Sequence, residues 1–182
     1  DPFRPADPAP VLERIAREPA PEITALRPDT RQSSGVIVRC GRARVAAIRE
    51  TDAERLGLSI GTPLDDAMVS RLLGAEAAAK ARRYAERIIA ARSVASRRLA
   101  ERLTSRGLPR AAADALVEEL AEAGLLDDAA LARRAARSIL ERKPAGRAYL
   151  VHALMGRGLD RAAADDAAAE ALAERDPEAD AL

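Results

Sequence analysis

Arginine is the residue type whose spacing in this chain could do chemistry. Arg82-Arg83 is followed 51 positions later by Arg133-Arg134, and Arg106 by Arg157 at the same interval. A guanidinium offers five N–H donors in a planar fork that matches carboxylates and phosphates, and it stays charged at any physiological pH. Arginines repeated in register therefore point to recognition of an acidic or phosphate-bearing partner rather than to proton transfer or nucleophilic attack. The register predicts one basic face: Arg82, Arg83, Arg97, Arg98, Arg102 and Arg106 in a first copy, with Arg133, Arg134, Arg137, Lys143, Arg147 and Arg157 in a second.

The other chemistry-bearing residues are few. Asp65-Asp66 and Asp127-Asp128 could attract a metal, but adjacent aspartates ahead of apolar helices read more naturally as N-caps. His152 is the single histidine and has no Ser, Cys or Asp at helical spacing, so it reads as a surface or boundary residue. Cys40 is the one cysteine and lies in an apolar run. It permits no internal disulfide, which suits a cytosolic compartment, and reads as a small buried hydrophobe. No Cys/His spacing fits a zinc site. No Gly-x-x-x-x-Gly-Lys-Ser/Thr loop is present, and Gly57-Leu-Ser-Ile-Gly61 is too isolated for a dinucleotide fingerprint. Phe3, Tyr84 and Tyr149 are the only aromatics, too few for a base-stacking platform. The expectation is a non-enzymatic protein with no cofactor, no metal and no small-molecule substrate.

Charge is segregated behind a formal net value of +1. Residues 76–106 carry nine basic and three acidic side chains, and residues 131–161 carry eight and two. Residues 107–130 carry one and six, and residues 162–182 one and seven. Two origins fit the pattern. Basic and acidic helices can pair with one another inside a fold, or the basic blocks can form a stripe that steers a polyanion.

The elements that position these residues are mostly helical. Roughly a quarter of the chain is alanine, the best helix former. A shift of 51 residues lays Arg106-Gly-Leu-Pro-Arg-Ala-Ala-Ala-Asp114 on Arg157-Gly-Leu-Asp-Arg-Ala-Ala-Ala-Asp165, and Ile88, Leu99 and Leu103 on Ile139, Leu150 and Leu154. Two three-helix repeats follow, 76–126 and 127–177, with a tail over 178–182. In the first, Ala77, Ala81, Tyr84, Ile88 and Ala91 form an inward stripe. Leu99 and Leu103 mark a short second helix. Pro109 opens a third, which turns Ala113, Leu116, Leu120 and Ala123 inward before Gly124 closes it. Gly107 and Gly158 should sit just past helix ends with positive φ. Asp127 or Asp128 should cap the fourth helix of the pair of repeats, and Asp160 the last.

Ahead of the repeats, residues 31–75 predict a hairpin from Gly35–Cys40 and Ala43–Ile48, with Glu22–Arg27 as a candidate third strand. A brief helix headed by Thr51 and another from Asp65 to Leu73 follow. Residues 1–30 hold seven of the eleven prolines and read as mostly tail, with a short helix possible over Val11–Arg17. No stretch approaches the ~18 apolar residues of a membrane span. The first residue is Asp rather than Met, which points to a fragment or processed form.

Several of these segments resemble the RecX family of recombination regulators. Gly124-Leu-Leu-Asp-Asp128 with Ala129-Ala-Leu-Ala is similar to the family's Gly-Tyr-Leu-Asp-Asp run. Arg92-Ser93, Leu99-Ala-Glu-Arg-Leu103 and Arg106-Gly-Leu108 resemble its first-repeat pattern, and Arg142-Lys-Pro-Ala-Gly146 its Lys-Gly-x-Gly-Pro element. Leu56-Gly-Leu-Ser-Ile-Gly-Thr-Pro-Leu-Asp65 and the hairpin resemble the β-containing extension of some members. The resemblance covers about residues 22–175. It implies a slender helical protein that lies in the groove of a RecA–DNA filament, inhibits ATPase and strand exchange, and binds through basic and polar residues, with DNA phosphates as a further contact. The alternatives are a general nucleic-acid-binding module and a protein scaffold. Three positions depart from the family pattern. Members usually carry three repeats where two are read here, two arginines of the helix after Gly146 are replaced by Tyr149 and Val151, and the usual capping serine of the second helix aligns with Ala95, leaving Ser93 or Ser96 to cap.

Overall fold

The computed structural model describes residues 1–30 and 34–175. The chain is mainly helical, with a three-stranded antiparallel sheet on its N-terminal side. In order, the elements are α1 (Ala9–Ile15), β1 (Ala25–Pro28), β2 (Gly35–Cys40), β3 (Ala43–Arg49), α2 (Glu50–Arg55), α3 (Asp66–Ala91), α4 (Ser96–Thr104), α5 (Arg110–Glu122), α6 (Asp128–Arg142), α7 (Arg147–Gly156) and α8 (Arg161–Arg175). Among the described residues no helix is long and apolar enough to cross a membrane. The tail read over 178–182 and the end of the second repeat lie outside the described residues.

Two compact units divide the chain: Asp1–Tyr84 with Ser105–Pro109, and Ala85–Thr104 with Arg110 onward. The division falls inside α3, not at residue 75. One continuous helix replaces the two expected on either side of Gly74. Asp65 starts it, accepting the Met68 N–H at 2.7 Å. A lone helical glycine costs only about 1 kcal/mol relative to alanine, and the flanking alanines and leucines carry the helix through it.

In the first unit the strands lie in the order β1-β2-β3. Ala25 faces Arg39 across one ladder and Val36 faces Ile48 across the other, with a register shift between Val38 and Arg39. Gly41, at φ +53°, makes the turn. The third strand is what a bare hairpin needs for stability. Val38, Cys40, Val45 and Ile48 pack on Val69 and Leu72 of α3. Cys40 is buried, as its apolar setting predicts. α2 starts one residue before Thr51, and no side chain caps it. Its Asp52 is buried and takes Arg49 Nε at 2.9 Å and Arg55 Nη2 at 2.7 Å. Buried Glu76 pairs with Arg44 at 2.5 Å and Lys80 at 3.6 Å.

Residues 1–30 are packed rather than a tail. Pro10 sits in the first turn of α1, where its missing N–H costs nothing. Val11 and Ile15 of that helix, with Ile23, enter the core. Phe3 is buried against Tyr84, with ring centroids 5.2 Å apart, and its N–H donates to the Arg106 carbonyl at 3.0 Å. One buried aromatic removes about 150–250 Å² from water. That is enough to hold a proline-rich strand of chain which composition alone marks as loose.

The second unit contains α4 to α8, and the 51-residue register aligns α4 with α7 and α5 with α8. α4 packs on α5, and α6, α7 and α8 pack on one another. Leu99, Leu103, Leu150 and Leu154 are all fully buried. Gly107 and Gly158 have φ of +94° and +92°, and both follow a helix end. At the close of α7 the Gly158 N–H reaches the Met155 carbonyl and the Leu159 N–H the Leu154 carbonyl, the 5→2 and 6→1 pair that satisfies a helix C-terminus. Gly124 and Leu125 repeat that arrangement on Ala121 and Leu120 at the end of α5. Ala113, Leu116 and Leu120 face inward, but Ala123 is exposed, because the chain is already leaving the helix there.

Candidate partner-binding surface

The start of α6 shows how local sequence positions its arginines. Asp127 caps the helix, accepting the Ala130 N–H at 2.8 Å. Asp128 does something the sequence does not display. Its carboxylate accepts the Ser96 N–H at 3.0 and 3.3 Å, so it caps α4 from 32 residues away. Neither Ser93 nor Ser96 is needed as a cap, which accounts for alanine at position 95. Asp160 caps α8 through the Ala163 N–H at 2.7 Å, as expected.

Each unit carries part of the expected basic set. In the first, Arg83 and Arg106 are exposed and Arg82 is half-buried. The Arg106 guanidinium lies 4.4 Å from the Tyr84 ring centroid, a cation–π contact. In the second unit Arg97, Arg98, Arg134, Arg137, Lys143, Arg147 and Arg157 are exposed, while Arg102 and Arg133 are half-buried.

Shared register does not give these residues shared surroundings. Arg97 and Arg98 both reach Glu101 on their own helix, at 3.1 and 3.2 Å. Arg98 also crosses to the end of α7, donating to the Gly156 carbonyl at 2.8 Å. Its side chain lies where a Cβ on Gly158 would be. A cation at a helix C-terminus meets the negative end of the helix dipole. Arg137 grips Glu174 through two bonds, at 2.8 and 2.6 Å, and Arg147 lies 3.3 Å from Asp165. Both partners stand on α8, so part of the basic block pairs with the acidic one inside the fold. Lys143 is placed over the Tyr149 ring at 4.0 Å. Arg134 makes a long contact with Ser93 Oγ, at 3.4 Å. Arg110, outside the candidate set, has its pKa raised by its hydrogen bond to Asp114.

His152 is exposed on α7. Among the described residues no group of three or more His, Cys, Asp or Glu side chains is placed to hold a metal ion. The exposed arginines offer guanidinium donors to an anion.

No protein-family model matches the sequence, and no curated protein matches it. The likeness is structural. A crystal structure of the regulatory protein RecX superposes with a TM-score of 0.70 over 82% of this chain and 73% of that one, at 17% sequence identity. The chain therefore has a RecX-like fold.

Proposed function

We propose that this chain is a non-enzymatic regulator that binds the RecA recombinase filament and restrains its ATPase and strand-exchange activity. The observation that carries the reading is the RecX-like fold with exposed arginines on its repeat helices. A filament offers acidic protein groups and DNA phosphates, the two classes that guanidinium donors recognise. Arg83 and Arg157 are the clearest candidates, because they are exposed and belong to the two repeated pairs. Arg98, Arg137 and Arg147 serve first as intramolecular partners.

The test follows ATP hydrolysis by the recombinase on single-stranded DNA while the protein is titrated in. Hydrolysis is expected to fall, and to fall less with the Arg83→Glu/Arg157→Glu double variant. Reversal of the acidic Glu118 should leave inhibition intact. Unchanged hydrolysis at several-fold molar excess of the wild-type chain would refute the proposal. Binding to bare DNA that drops steeply with salt, without any effect on the recombinase, would favour a phosphate-binding module instead.

A further inference from the structure

A cluster of guanidiniums lies outside the repeats, in the first unit. Arg14 near the end of α1, Arg17 just beyond it and Arg42 in the β2–β3 turn line one open depression. All three are exposed, and among the described residues none of their guanidiniums hydrogen-bonds or ion-pairs with another group. Their backbones are nonetheless fixed. Val11 and Ile15 hold α1 in the core. The turn is held by the Gly41 N–H, which donates to Thr24 Oγ1 at 2.8 Å, and by Arg39, which donates to the Arg42 carbonyl.

Charge and side-chain size together say what this depression would hold. Its lining carries three bases against one acid, Glu18. The Glu18 carboxylate lies over the turn, 2.6 Å from where a Cβ on Gly41 would stand, and among the described residues it pairs with none of the three arginines. Glu13, the acid within α1, is outside the lining. Residues 1–75 carry eleven bases and eleven acids, so the excess here is local. The rest of the lining, Cys40, Gly41 and Ala43, is small, and Cys40 is buried. It offers no large apolar side chain to anchor a protein partner and no aromatic face to stack a base. What remains is three planar forks of donors, which suit phosphate. Contacts of that kind position a nucleic-acid backbone without reading its sequence.

We propose that Arg14, Arg17 and Arg42 form a nucleic-acid contact on the first unit, one that takes backbone phosphates irrespective of base. The contact is separate from the arginines of the repeats and does not rest on the regulator reading.

The test uses the full chain and a fluorescein-labelled strand of about twenty thymidines, followed by anisotropy at ~50 and ~200 mM salt. Arg14→Ala/Arg17→Ala/Arg42→Ala should weaken binding about tenfold or more at the lower salt. It should also flatten the log–log salt slope by about 2, since each single-strand phosphate contact contributes ~0.7. Arg27→Ala/Arg71→Ala/Arg142→Ala removes the same charge from exposed arginines elsewhere and should cost far less. Glu18→Gln should tighten binding severalfold, a gain that a misfolded variant cannot imitate. An abasic strand of equal length should bind as well as the thymidine strand. The site is overturned by absence of wild-type binding at the lower salt, by equal losses in the two triple variants, by a Glu18→Gln chain that binds no tighter, or by a requirement for bases. Displacement of the strand by micromolar inorganic phosphate also overturns it, since the ligand would then be a small phosphate. A chain that binds the strand yet leaves recombinase ATP hydrolysis unchanged keeps this site and loses the regulator. A chain that inhibits the recombinase, with strand binding untouched by the first triple substitution, does the reverse.

Discussion

α4 and α7 occupy the same place in the two repeats, and they share a core but not a surface. Leu99 and Leu103 align with Leu150 and Leu154, and all four are fully buried. On the outer face, Arg97, Arg98 and Arg102 of α4 align with Ala148, Tyr149 and Ala153 of α7. Ala95, before α4, is buried among Ala132, Ala136, Leu154 and Leu159, whereas its counterpart Gly146 is exposed. α4 begins under the Asp128 carboxylate, while no side chain caps α7 at Gly146. The shared 51-residue register preserves the buried leucines and leaves the rest to diverge. Register therefore tracks the buried leucines and not the outer face.

The largest expected effect tests the shared core. Leu103→Ala and Leu154→Ala should each cost about 2–5 kcal/mol, the range for truncating a buried leucine. Urea unfolding should place the two losses close together. A loss at one site several times that at the other would break the equivalence of the two cores.

A smaller effect separates the two ways an aspartate caps a helix here. Asp127→Ala removes a local cap and Asp128→Ala a distant one, and each should cost about 1 kcal/mol. Ser96→Pro distinguishes them, since proline is tolerated at a first helical position and removes the N–H that Asp128 accepts. In that background Asp128→Ala should become nearly silent, while Asp127→Ala keeps its full cost. Independent losses in the double variant would show that Asp128 stabilises the fold by another route.

These contrasts mark how far the sequence could be read. Helix content, the sheet and the glycine turns were legible because each rests on a local signal, such as the matched Arg-Gly-Leu of 106–108 and 157–159. The N-terminal segment was not legible. Its seven prolines suggest looseness, and only tertiary contact shows Phe3 on Tyr84 and Val11 in the core. The continuous α3 was masked by Gly74, a breaker too weak to act alone. The surface was harder still. Charge blocks are visible in sequence, but whether Arg137 faces a partner or Glu174 is decided by the packing of α6 on α8. Asp128 looked like half of a local capping pair because its acceptor role spans 32 residues.

The smallest expected effect sharpens the surface contrast by exchanging aligned residues. Arg98→Tyr writes the second repeat's residue into the first, and Tyr149→Arg does the opposite. The first exchange removes the bond to the Gly156 carbonyl and uncovers Gly158. Arg98 is half-exposed, so water recovers part of the loss. About 0.5–1 kcal/mol is expected, the lower part of the range for a net hydrogen bond. That corresponds to a melting temperature lower by about 1–4 °C for a chain of this size. The second exchange removes only the exposed contact between Lys143 and the Tyr149 ring and should stay within about 0.5 kcal/mol, the usual scatter for surface substitutions. Thermal unfolding of both variants beside wild type reads the difference directly. Equal losses would mean that Tyr149 is packed as Arg98 is, and that the two second helices share more than their buried leucines.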